Sequence, residues 1–235
     1  MPTIQKLMES VNIQREATCK YTESREIDIS LGFKVSKIES KLLQKFRSYD
    51  RTDDPTNRKK QYKGAQTWIG LPPDILQTPY KDILTVLNHI KEFKISTVVD
   101  IGCAYGRVGF ALQKDHKEAK FLGFEIVKKR YQEASRVIRK HNLPNLEITL
   151  GNVLNADVNI PSADLYMIYD FSNIDDIYKT LNKISSYQSD QPIFLVARGE
   201  RTEFLLDKFF KNIWNLFFKS DDCLLKVYQL QPCLP

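Results

Sequence analysis

The run Val98-Val99-Asp100-Ile101-Gly102-Cys103-Ala104-Tyr105-Gly106-Arg107-Val108-Gly109 joins an apolar strand, an aspartate at its end, a turn of small residues and the start of a helix. Small residues at 102, 104 and 106 permit turn geometry that larger side chains block, and let a ligand approach the N–H groups that open the following helix. This is a nucleotide-binding turn. Asp100 selects among nucleotides: a carboxylate at the strand end repels a pyrophosphate and suits the ammonium of an aminoacyl group. The ligand expected here is therefore S-adenosylmethionine (SAM) rather than NAD.

Positioning such a turn requires a sheet. From Ser96 onward short apolar runs alternate with helical patterns, which predicts parallel strands with crossover helices. The expected strands are 96–102, 120–126, 146–150, 164–171 and 192–198, and the expected helices 105–116, 128–141, 173–186 and 202–210. In the second helix Tyr131, Ala134, Val137 and Ile138 form one apolar stripe. Lys128, Lys129, Arg136, Arg139 and Lys140 are expected to face water, with Asn142 and Pro144 closing the helix. Residues 213–218 and 224–230, joined by Ser220-Asp221-Asp222, predict an antiparallel hairpin that brings the strands to seven. Before residue 96 a helix is expected at 36–49 and another at 80–93, with a polar loop at 50–66.

The chain has 235 residues, 42% of them hydrophobic, enough for one full core with an accessory segment. A boundary is expected near residue 74, between an N-terminal helical and loop extension (1–74), a candidate substrate lid, and a catalytic domain (75–235). No run of eighteen apolar residues and no secretory leader is visible, so a cytoplasmic protein without a membrane segment is expected. Cysteines 19, 103, 223 and 233 and histidines 89, 116 and 141 show no metal-ligand spacing, so no metal site is expected. Residues 1–95 hold 17 Lys/Arg against 12 Asp/Glu (net +5), and 96–235 hold 18 against 17 (net +1). The excess is densest at Arg58-Lys59-Lys60-Gln61-Tyr62-Lys63, which reads as a solvated loop or as a patch for RNA, an acidic protein or an anionic membrane.

Over about residues 75–230 the chain resembles the class I, seven-β-strand SAM-dependent methyltransferases. The resemblance implies an α/β, Rossmann-like seven-stranded sheet with an antiparallel C-terminal hairpin and helices on both faces. Asp100-Ile101-Gly102-Cys103-Ala104-Tyr105-Gly106 is similar to the first motif, with Ala104 replacing the middle glycine. Asp100 would then help hold the methionine end of SAM, above the backbone of Gly102, Cys103, Ala104, Tyr105 and Gly106. Phe121-Leu122-Gly123-Phe124-Glu125 resembles the second motif, whose terminal acid, here Glu125, accepts from both ribose hydroxyls. Leu150-Gly151-Asn152-Val153 resembles the third, which implies Asn152 at the adenine amino group and Val153 over the ring. The alternative reading of Gly151-Asn152 is a turn without a ligand.

Tyr169-Asp170-Phe171-Ser172-Asn173 ends the fourth strand, where the family places the groups facing the transferred methyl. Asp170 would serve as polar acceptor, shared with the cofactor site, and Phe171 as aromatic wall. The prolines typical of enzymes that methylate nucleic-acid amino groups are missing. The segment resembles instead the Asp-Phe variants of non-SET protein lysine methyltransferases, and Gln77-Thr78-Pro79-Tyr80 resembles their Thr-Pro element. That assigns Thr78 to the cofactor, while the residues alone also read as a helix start with Thr78 as cap. Trp68 and Tyr105 are expected as walls of an acceptor channel, Trp68 alternatively as an anchor of the extension. The expected activity is SAM-dependent N-methylation of a protein side chain, lysine first. The alternatives are an RNA or tRNA methyltransferase, with Tyr62 and Trp68 for stacking, and a non-catalytic SAM-fold binding protein.

Overall fold

The computed structural model describes residues 3–11, 20–50, 68–187, 189 and 191–231. The basic run 58–63, with Tyr62, and cysteines 19 and 233 lie outside the described residues.

Five strands, β1 (Thr97–Ile101), β2 (Lys120–Glu125), β3 (Leu146–Leu150), β4 (Leu165–Tyr169) and β5 (Phe194–Arg198), are parallel. β6 (Trp214–Lys219) and β7 (Lys226–Leu230) form the hairpin, and β7 inserts antiparallel between β5 and β6. The order is β3-β2-β1-β4-β5-β7-β6. Strand order reverses between β1 and β4, and at such a switch point the loops leaving the carboxyl ends of the strands diverge and open a crevice.

Alternation along the strands sends side chains to two cores. Val98, Phe121, Met167, Phe194 and Val196 pack on one face with the helices α5 (Tyr80–His89), α6 (Arg107–Leu112) and α7 (Lys128–Lys140). Val99, Ile101, Tyr166, Ile168 and Leu195 pack on the other with α8 (Ile174–Ser185) and α9 (Glu200–Phe209). The first core also takes Ile4 and Met8 from α1 (Ile4–Glu9), Ile27 and Leu31 from α2 (Lys20–Leu31), and Val35 from α3 (Val35–Asp50). Packing is thus continuous across residue 74, which lies in a short helix, α4 (Pro73–Leu76).

The extension is fastened by buried ion pairs. Asp28 on α2 accepts from Arg107 at 2.5 Å and from the Tyr80 hydroxyl at 3.2 Å. Glu39 on α3 accepts from Arg130 at 2.8 and 2.9 Å and from the Tyr105 hydroxyl at 2.7 Å, and Lys20 meets Asp82 at 3.2 Å. Two cations of α7 expected to face water are also engaged. Arg136 donates to the Gly32 carbonyl at 2.6 Å and Lys140 to the Leu31 carbonyl at 3.1 Å. They cap the C-terminal end of α2, where free carbonyls and the helix dipole attract cations.

Among the described residues no helix is long and apolar enough to cross a membrane, and no three His, Cys, Asp or Glu side chains group as metal ligands.

Candidate cofactor and acceptor site

The turn after β1 owes its shape to left-handed backbone at Gly102 (φ +76°), Ala104 (φ +50°) and Gly106 (φ +77°). A Cβ on Gly102 would lie 2.9 Å from the Phe171 Cβ, so only glycine admits that close approach. Ala104 is small enough for the turn, but a left-handed alanine costs about 1–2 kcal/mol, strain that the surrounding bonds must hold. Gly102 and Cys103 both donate to the Phe124 carbonyl, at 2.9 and 3.0 Å, which ties the turn to the end of β2.

Asp100 and Glu125, at the ends of neighbouring strands, are both buried. Burial, and then the Glu125 charge, pushes the Asp100 carboxyl up to about 8. Glu125 is pushed up to about 7 by burial, against the opposing pull of Arg130 and backbone N–H groups. One Glu125 oxygen accepts from the Val127 N–H at 2.6 Å. Asp100 has no hydrogen-bond donor among the described residues. Burial and the two carboxylates also push the Cys103 thiol up, so it stays protonated. Two acids held without a bonded cation form a site prepared for donors or positive charge from outside the chain.

Three hollows meet at Gly102. The smallest is lined by Glu125, Ile126, Gly151, Val153 and Phe171, and a second by Gln77, Thr78, Asp100, Arg107, Tyr169 and Arg198. The third, a cavity of about 370 Å³, is lined by Trp68, Leu71, Ile75, Glu125, Tyr169, Asp170, Phe171, Glu200 and Arg201 among others. Segment 68–78 roofs this region. Tyr169 donates to the Ile75 carbonyl at 2.9 Å, Arg198 donates to the Thr78 hydroxyl at 3.1 Å, and the Arg201 guanidinium lies 5.2 Å from the Trp68 ring centre.

The expected residues take distinct places. Gly102, Ala104, Glu125, Val153, Asp170, Phe171 and Trp68 line the hollows, as do Asp100, Cys103 and Thr78. Tyr105 does not stand beside Trp68 as a channel wall: it is fully buried, bonded to Glu39, and its phenol is held far above its ordinary range by burial and then by that carboxylate. Thr78 is not a helix cap either, because Pro79 holds that position and the Thr78 hydroxyl is turned to Arg198. The Asn152 carbonyl oxygen accepts from the Leu154 N–H at 3.0 Å, the local turn that was one of its two readings. Asp170 accepts from the Thr202 N–H, the Thr202 hydroxyl and the Arg201 N–H at 2.8–3.1 Å. It thereby caps α9 from a distance, and Gly199 beside it has no room for a Cβ, which would lie 2.4 Å from the Asp170 Cγ.

Sequence reasoning passed over Ile126, Gln77, Arg198 and Glu200. Ile126 had a signal, its place directly after a strand-terminal acid, and Arg198 ends β5 just as Asp100 nearly ends β1. Gln77 and Glu200 had none, the first being a polar residue in a bend and the second an acid at a helix start.

The strand order is that of a Rossmann-like methyltransferase fold. A family model described as a methyltransferase domain matches residues 92–226, more than half the chain, and the chain belongs to that family. It is 28% identical over 103 residues to a protein-lysine N-methyltransferase of Saccharolobus islandicus (strain REY15A), a match covering 43% of this chain and 63% of that relative. The chain therefore spans less than two thirds of the relative's length. Among solved structures it is similar to a precorrin-6Y C5,15-methyltransferase of Geobacter metallireducens GS-15, with TM-score 0.53, 12% identity and coverage of 72% and 96% of the two chains. A ribosomal RNA methylase of Streptococcus thermophilus aligns with TM-score 0.47, 13% identity and coverage of 64% and 96%. At such identities the structural likeness describes the fold alone.

Residues 92–226 thus form a methyltransferase domain, and the cofactor of that family is SAM. The residues fit that cofactor: Gly102 stands where the three hollows meet, and the two buried carboxylates suit a ligand that brings donors and a cation.

Proposed function

We propose that the protein is a SAM-dependent N-methyltransferase whose acceptor is a protein lysine. The observation that carries this reading is the 370 Å³ cavity beside Gly102, walled by Trp68, Leu71, Ile75, Tyr169 and Phe171, with Glu125, Asp170 and Glu200 as its acids. Such a channel suits an alkyl chain that ends in an amine, with apolar contact along the stem and acceptors at the tip. The named activity of the Saccharolobus relative supports the same substrate class.

Bound SAM supplies an electrophilic methyl carbon. The chain's task is alignment and exclusion of water. Asp100 would receive the ammonium of the cofactor and Glu125 its ribose hydroxyls, and Val153 with Ile126 would flank its base. Phe171, pressed against Gly102, forms the wall between cofactor and acceptor. A lysine amine must be neutral to attack, which at pH 7 costs roughly 4–5 kcal/mol from a reference value near 10.4. An adjacent free carboxylate would raise that cost. Asp170 avoids much of it, because three donors at the start of α9 already compensate its charge and leave it acceptor capacity to orient the amine. Arg201 and the apolar walls further disfavour a protonated amine.

Incubation with tritiated SAM and a cell lysate tests the proposal. Label in nuclease-resistant protein, located by mass spectrometry on lysine, is the expected result. Label confined to nuclease-sensitive material would overturn it in favour of RNA.

A further inference from the structure

In the hollow between the Thr78 segment and β1, three polar side chains have unspent bonding capacity. Gln77 is 4% exposed, and neither its amide nitrogen nor its amide oxygen has a partner among the described residues. Arg198 is 7% exposed, stacks 4.1 Å from the Tyr169 ring centre and gives one bond to Thr78, but meets no carboxylate among the described residues. Asp100 is the third. The other cation of the hollow, Arg107, is already paired with Asp28.

Strand register explains how these groups come together. Asp100 pairs with Met167 and Met167 with Val196, so all three stand at one level and on one face. Arg198 lies two residues beyond Val196 and returns to that same face, one pleat nearer the carboxyl rim. The adjoining Gln77 comes from the roof. A carboxylate, a guanidinium and an amide thus line one hollow, and none of the three is neutralised by another.

Isolated buried charges and unpaired amides are unfavourable unless a ligand completes them. An amino-acid zwitterion carries the complement of this set, an ammonium for Asp100 and a carboxylate for a guanidinium and an amide N–H. We infer that Arg198 and Gln77 recognise the α-carboxylate at the methionyl end of the cofactor, opposite Asp100. The inference builds on SAM as cofactor and assigns two residues that the motifs of the sequence left unassigned.

Calorimetric titration with SAM and with decarboxylated SAM, which differ in that carboxylate alone, tests the assignment. The wild-type chain should prefer SAM by about 10- to 100-fold, the value of one or two charge-assisted hydrogen bonds. Arg198→Met should bring the two ligands within about threefold by weakening SAM alone, and Arg198→Lys should restore part of the preference. Gln77→Leu removes an unpaired amide, so it should melt no lower than wild type yet lose several-fold of the preference. A wild-type chain that binds both ligands equally would overturn the inference and leave the cofactor standing, whereas binding of neither would overturn both. Equal loss of both ligands in Arg198→Met and Gln77→Leu would also overturn it, because those residues would then act only through the shape of the wall.

Discussion

Two pairs of buried carboxylates stand within the same half of the molecule and differ in what faces them. Asp28 and Glu39, from the N-terminal helices, meet Arg107 and Arg130, each with a tyrosine hydroxyl besides. Asp100 and Glu125, from the strand ends, meet backbone N–H groups or nothing. The first pair closes the protein on itself, and the second lines the hollows around Gly102. Burial of a charge is therefore silent about function until its partner is known. Of the arginines of the first pair, Arg107 follows directly on the turn after β1 and Arg130 stands in the first turn of the helix after β2, so the extension is bolted to the segments that shape the site.

Removing one partner of a closed pair should have the largest effect. Asp28→Ala takes from Arg107 its buried carboxylate, and Glu39→Ala takes from Arg130 the carboxylate it holds by two bonds. Each should lose about 3–5 kcal/mol of stability in urea unfolding. A variant of normal stability that had lost only SAM affinity would break the distinction. Glu125→Ala should behave oppositely, weakening SAM binding by roughly ten- to a hundredfold in calorimetry with no loss of melting temperature. Asp170 is an intermediate case, compensated by a helix terminus rather than by a cation, and Asp170→Ala should cost about 1–2 kcal/mol as a lost cap. Its turnover should fall further than its SAM affinity.

The smallest effect is a pH dependence. The folded, ligand-free chain keeps protons on Asp100 and Glu125 that the unfolded chain releases near pH 4, so their contribution to stability declines as pH rises from about 4 through about 8. Asp100→Asn removes part of that decline. Its melting temperature should overtake that of wild type increasingly from pH 5 to 8.5, by a few degrees, since about 1 kcal/mol moves a chain of this size by about 2–4 °C. SAM binding at pH 7 should release protons, visible as a dependence of the calorimetric heat on buffer ionisation enthalpy.

Every strand was legible in the sequence to within two residues at either end, because β-branched and aromatic runs alternate cleanly with amphipathic helices. Helix α2 was not. Its buried residues Lys20, Ser24, Ile27, Asp28 and Leu31 recur at helical spacing, but three of the five are polar and give no hydrophobic period. Their partners Asp82, Tyr80 and Arg107 lie more than fifty residues away, beyond any local pattern. The same distance explains Tyr105, whose place beside the turn suggested an open wall while Glu39 draws it inward. Asp100, Gly102 and Glu125 were readable because strand ends and turns announce themselves in residue type. Arg198 and Gln77 acquire meaning only from what they lack, and a missing partner is not written in a sequence.

Gly102 borders all three hollows, which has a topological consequence. A molecule that fills them together must fork beside that residue, at an atom bearing three arms. A dinucleotide is a chain of two ends and has no such atom. A sulfonium, with nucleoside, amino-acid and methyl substituents on one sulfur, is a fork, and the residue that suits its junction is the one that adds no arm of its own.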